Sequence, residues 1–141
     1  MTSTQLELAA LLDRRSEAIG RKDIERLMSL YASDIVYFDL VPPLRYTGSD
    51  ALRRRFTDWF GRWKSAIGQE TRDVTIAASG DVAAAHMLLR TSGTLQTGRE
   101  VGYWVRVTNI FQRSGRWLMT HEHVSLPVDI ASGSAVMDLM P

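Results

Sequence analysis

Across residues 6–19 the apolar and polar positions follow a helical period. Leu8, Leu12 and Ile19 recur on one face, and Gly20 supplies a stop. Asp23 comes next as an N-cap, because its carboxylate can accept from the free amides of the following turn. Behind it Ile24, Leu27, Met28 and Tyr31 fall at i, i+3, i+4 and i+7, the buried stripe of a second helix. Residues 35–41 are β-branched and aromatic and predict a strand. Pro42 and Pro43 end it, since neither can donate to a sheet ladder. A third helix is predicted from Ser49 to about Ile67, with Leu52, Phe56, Trp59, Phe60, Trp63 and Ile67 forming a broad apolar face.

From there the period changes to two. Residues 70–78, 82–92, 99–112 and 116–126 read as strands, joined by tight turns at Gly80-Asp81 and Ser114-Gly115. Helices gathered before a run of antiparallel strands define an α+β architecture. The pattern divides the chain into one domain over residues 1–131 and a short apolar tail over 132–141. In that tail Val136, Met137, Leu139 and Met140 follow a link of small residues. An apolar terminus of this kind is expected to dock, over a cavity mouth or onto a partner.

Composition narrows the chemistry by subtraction. The 141 residues suit one domain with one core, and the absence of cysteine excludes disulfides, thiolate metal sites and a cysteine nucleophile. The formal charge is +1 and the basic residues are scattered. Arg53, Arg54 and Arg55 form the only run, which reads as a solvated helix face, so no nucleic-acid partner is expected. No stretch is long and apolar enough to span a membrane, and residues 1–7 lack the basic-then-apolar order of a leader. A cytoplasmic location is the resulting expectation.

The residues that could carry chemistry are few. Asp39 stands at a strand end, either as a general base in an apolar cavity or as a tie for the Pro42-Pro43 loop. His121 and His123 are i, i+2 on a strand and therefore share a face; one could act as acid or base, or both could bond across the sheet or sit at a subunit interface. A metal needs at least a third ligand that no fixed spacing supplies, so no metal and no other cofactor is expected. Arg106 lies mid-strand on the face of Trp104 and Thr108. It could pair with Asp39, Glu100 or Glu122, or bind an anionic group of a ligand. If the odd-numbered face of that strand looks inward, Arg106 lies on the convex side instead. Tyr31, Tyr37, Trp59, Trp63 and Trp104 are candidate walls for a flat apolar ligand, although helical spacing also makes Trp59 and Trp63 ordinary core.

Four segments carry a family resemblance: Tyr31-Ala32-Ser33-Asp34-Ile35-Val36-Tyr37-Phe38-Asp39, Tyr46-Thr47-Gly48, Gly80-Asp81-Val82-Ala83, and a C-terminal set. That set is Val105-Arg106-Val107-Thr108, Gly115-Arg116-Trp117 and His121-Glu122-His123-Val124-Ser125-Leu126-Pro127. In order and spacing they resemble the NTF2-like superfamily, in its branch of SnoaL-like proteins and ketosteroid-isomerase homologues. The resemblance implies a strongly curved sheet wrapped around the helices as an open cone, and it implies that Asp39 holds the position of the family's base. The two oxyanion-hole positions of the steroid isomerases fall at Arg15 and at about Val107. Those side chains do not match, so steroid isomerisation by that constellation is not expected.

The resulting expectation is a small enzyme that moves protons without a cofactor on an apolar, carbonyl-bearing molecule held in the cone, by isomerisation, cyclisation or dehydration. Asp39 would be the base, His121 or His123 a second acid or base, and Arg106 or a tyrosine the oxyanion partner. A non-catalytic ligand-binding or association module is the alternative, and epoxide or lactone hydrolysis ranks third. A homodimer through the outer sheet face is expected in either case.

Overall fold

The first helix begins earlier than its apolar stripe. Thr2 Oγ1 accepts the Gln5 amide at 3.1 Å while Gln5 Oε1 accepts the Thr2 amide at 2.9 Å. This reciprocal capping box starts α1 at Ser3 and carries it to Gly20 (Ser3–Gly20). The computed structural model describes residues 1–141. Asp23 caps α2 (Ile24–Met28) as its side chain predicts, accepting from the Arg26 amide at 3.1 Å.

Tyr31 then departs from the helical expectation. It opens β1 (Tyr31–Phe38), because the Leu30 carbonyl takes the Met119 amide and draws the chain into the sheet. Burial of Tyr31 is common to both readings, and for that reason the stripe misassigned it. A short β2 (Tyr46–Thr47) precedes α3 (Ser49–Gly61), which ends about six residues before the predicted Ile67. Trp63 and Ile67 are still buried, but by extended chain: Trp63 bridges to Leu95, and the Ile67 amide donates to the Gly20 carbonyl at 3.3 Å.

The long strands are β3 (Gly68–Ser79), β4 (Val82–Thr94), β5 (Glu100–Ser114) and β6 (Arg116–Ser125). A two-residue ladder of β7 (Val128–Asp129) and β8 (Ser134–Ala135) follows. The main sheet runs β2-β1-β6-β5-β4-β3, antiparallel throughout except where β1 lies parallel to β6. Helices packed against one side of this curved sheet complete the α+β fold, with Leu8, Ile19, Leu52, Phe111 and Met119 fully enclosed between the layers.

One irregularity decides what faces the interior. Between β5 and β6 the register passes from Ile110↔His121 to Phe111↔Met119, leaving Thr120 unpaired as a bulge. An extra residue inverts side-chain parity, so Trp117 and Met119 point inward before it, and Glu122 and Val124 after it. On β5 the odd residues Val105, Val107, Asn109 and Phe111 are the buried ones.

Candidate functional site

The helices and the inner sheet face enclose a cavity of about 670 Å³. Its walls are apolar, built from Phe56 and Trp59 of α3 and from Leu89, Val105, Val124 and Leu126 of the sheet side. At the outer end stand Val41, Arg62, Ala135 and Met137, all exposed. At the inner end stand Arg15, Gln69 and Thr91. A recess of this size, apolar with a few convergent polar groups, fits a small-molecule site.

Asp39 follows the last residue of β1 and faces this cavity. Its Oδ1 accepts the Leu40 amide at 2.6 Å, and its Oδ2 accepts Arg55 Nε at 2.7 Å from α3. Burial works most strongly against the Arg55 charge, but the hydrogen bond that Arg55 donates to Asp39 and the attraction of that carboxylate together outweigh it and raise the guanidinium's affinity for its proton. Two phenols accompany the carboxylate. Tyr37 and Tyr103 both line the cavity, and both hold their protons above the ordinary phenol value, chiefly through burial and further through negative neighbours that include Asp39. At neutral pH both are therefore hydroxyl donors.

Behind the inner end lies a closed polar cluster. Glu122 is fully buried; its carboxylate accepts from Arg15 Nη2 at 2.8 Å, Arg15 Nε at 2.9 Å, Tyr31 Oη at 2.8 Å and Asn109 Nδ2. Burial opposes the Arg15 charge, yet the Glu122 carboxylate prevails and holds the proton far above its usual range. Tyr31 is likewise raised, by burial first. Four donors satisfy the carboxylate, while Asn109 Oδ1 beside it is buried without a partner; removing one partner of such a buried pair costs about 3–5 kcal/mol.

Of the residues singled out from sequence, Asp39, Tyr37 and Trp59 line the cavity. Tyr31 belongs to the cluster behind it, and Trp63 is buried beside the cavity in edge contact with Trp59. The remaining four lie on the convex side of the sheet. Arg106 and Trp104 occupy the even face of β5, where Arg106 donates to Ser125 Oγ at 3.1 Å and Trp104 lies under the Arg72 guanidinium. None of the three carboxylates considered for Arg106 is its partner.

The bulge at Thr120 turns His121 and His123 outward. Their rings pack on Phe38 with centroids 4.7 and 5.3 Å away, and His121 Nδ1 bonds the Val36 carbonyl at 2.8 Å across the sheet. The expectation that a histidine or Arg106 meets Asp39 in one site is therefore corrected, because the sheet lies between them.

Arg55, Tyr103 and the Arg15–Glu122 pair were not anticipated as cavity groups. A signal for Arg55 existed, since it stands three residues after Leu52 and four before Trp59 and so shares their face of α3. For Glu122 the cue was the switch of apolar parity from Trp117 and Met119 to Val124 and Leu126, which requires a bulge between them.

Fold and cavity together describe a helix-lined cone, and the comparisons agree. Residues 8–129 match the SnoaL-like domain model, and the chain belongs to that family within the NTF2-like superfamily. An NTF2-like protein of unknown function from Pseudomonas putida KT2440 superposes with a TM-score of 0.89 at 30% identity, covering 100% of both chains. A ketosteroid isomerase-like protein from Erwinia carotovora atroseptica SCRI1043 superposes with a TM-score of 0.76 at 19% identity, over 89% of this chain and 97% of that one. A proposed dehydratase of the NTF2-like family from Streptomyces avermitilis gives 0.76 at 20% identity, over 84% of this chain and 93% of that one. The last two likenesses concern the fold alone. No curated protein matches the chain closely in sequence.

Proposed function

We propose that the cavity is the active site of a small enzyme that transfers a proton, without a cofactor, on an apolar carbonyl-bearing molecule. The observation that carries this reading is a carboxylate, Asp39, facing the same apolar recess as two protonated phenols, Tyr37 and Tyr103. Removal of a proton beside a carbonyl needs a fixed base and a donor for the oxygen that gains charge, both away from water. Asp39 serves as the base, oriented by Arg55, and a phenol donates to the forming enolate oxygen. Isomerisation, cyclisation and dehydration all begin with this step, so the chemistry named is the class they share.

The test starts from a thermal-shift screen of neutral polyketide, terpenoid and steroid ketones. Hits are then incubated in deuterated water and followed by NMR for exchange at the carbon beside the carbonyl. Wild type is expected to exchange that position. Asp39→Asn is expected to bind the same ligands and to lose exchange by at least about a hundredfold, and Tyr103→Phe to fall between. Binding without exchange in the wild type would make the protein a carrier or association module instead. That rival has one observation in its favour, the Asp39–Arg55 pair, which already satisfies the carboxylate.

We also propose that a second copy pairs through the convex sheet face. Val82 and Ile110 are exposed there, and Trp104 lies on the same face farther along β5, opposite Arg90. Sedimentation of a single-chain mass at micromolar concentration would remove that proposal.

A further inference from the structure

The chain has three histidines, and all of them project from the convex face of the sheet, away from the cavity. His86 leaves β4 between the buried residues Ala85 and Met87, and the Thr120 bulge turns His121 and His123 out from β6. The ladders align two of them in one row across the sheet: Phe38 on β1, His123 on β6, Thr108 on β5, His86 on β4 and Thr75 on β3. His121 stands one step along β6, its Nδ1 donating to the Val36 carbonyl at 2.8 Å. No carboxylate is ion-paired with any of the three.

This row divides the face into two unlike ends. Beyond it on one side lie Arg72, Arg90 and Arg106, all without an ion-pair partner, with Trp104 under Arg72 and with Glu70 and Glu100 as the acids. On the other side lie Ala77, Val82, Ala84 and Ile110. The remaining charges of these strands stand apart from the row: Asp34 on β1, Asp73 at the β3 irregularity, Arg116 at the start of β6, and Arg113, which pairs with Asp81.

Two copies can join face to face about a two-fold that runs along the strands or across them. Along the strands, it would lay one arginine end on the other, a like-charge juxtaposition. Across the strands, it lays Arg106 of each copy over the partner's Ile110, so that the aliphatic stem covers an apolar side chain. The histidine row then faces its own copy. A histidine takes up a proton just below neutral pH, which adds three charges per copy, and the row holds no carboxylate to meet them. Separate copies bind those protons more readily than the pair does, so proton uptake draws the pair apart.

We infer that the convex face joins two copies about a two-fold crossing the strands along the histidine row, and that acidification opens this interface. The inference rests on the pairing proposed above and is independent of the cavity and its chemistry.

Sedimentation equilibrium of the full chain tests the acid response. Between about pH 7.5 and about pH 5.5 the dimer dissociation constant is expected to rise at least about a hundredfold, the effect of one pKa unit on one histidine of each copy. Near-UV circular dichroism should stay unchanged, showing that the separated chains remain folded. His86→Gln combined with His123→Gln, both at exposed positions, is expected to cut the rise to less than about tenfold. The chain has no cysteine, so single cysteines test the axis. At neutral pH a short bis-maleimide should join two copies of Thr75→Cys, at the outer end of the row, and not two copies of Ser79→Cys, farther along the same strand. A dissociation constant unchanged by pH, an equally steep response in the double variant, or joining at Ser79 instead of Thr75 overturns the inference and leaves the pairing standing. A single-chain mass at about pH 7.5 overturns both. The wild-type titration and the cysteine pair decide the matter even where the double variant does not fold.

Discussion

At the scale of single residues, the site depends on how Asp39 is held. One oxygen is fixed by the Leu40 amide and the other by Arg55, so the carboxylate has one orientation toward the cavity. Arg55→Met removes the second tie while keeping most of the side chain's bulk. Deuterium exchange is expected to fall by about ten- to a hundredfold, with ligand affinity changed far less, because a misplaced base loses alignment before the pocket loses shape. A rate equal to wild type would show that Arg55 is a bystander. The position of Asp39 was legible from its place after a β-branched strand and from the family resemblance. Its partner was overlooked because Arg55 sits in a basic run that reads as solvated, although helical spacing places it beside Leu52 and Trp59.

At the scale of elements, the Thr120 bulge and the C-terminal ladder shape the cavity most. Local pattern identified the four long strands and their turns, since hydrophobic alternation is a property of each strand by itself. It left open which face of each strand looks inward, a property of pairing between strands. A single unpaired residue in β6 settled that for Glu122 and sent both histidines outward. The β7–β8 ladder is short and apolar in part, too brief to show a period. It matters because Ala135 and Met137 line the outer end of the cavity, with the Val136 amide tied to the Pro127 carbonyl at 2.8 Å. Truncation after Ser132 is expected to speed both entry and escape of a ketone hit from the thermal-shift screen in stopped-flow measurements, while melting temperature changes little. Unchanged rates would separate the tail from ligand access.

For the molecule as a whole, the buried phenols set a limit on alkaline stability. Tyr31 and Tyr37 keep their protons well above the ordinary value of 10.0 in the folded chain, first through burial. In the unfolded chain they would ionise near about pH 10. Above that point the unfolded state has released protons that the folded state retains, so stability falls as pH rises; below it the contribution is complete. Urea midpoints should therefore hold steady from about pH 8 to about pH 10 and then decline, with a shallower decline in Tyr37→Phe. A Tyr37→Phe curve as steep as wild type would assign the decline to other groups. The pairing of Arg15 with Glu122 also bears on how the chain is made. These partners lie 107 residues apart, and the β1–β6 ladder beside them also joins the two ends of the chain. During synthesis Arg15 leaves the ribosome long before its counter-ion is translated, and it stays hydrated until β6 emerges. The hairpins of β3, β4 and β5 can close earlier from neighbouring contacts. The polar inner end of the cavity therefore waits for β6, after most of the wall residues have been made, and only the rim of Ala135 and Met137 follows it.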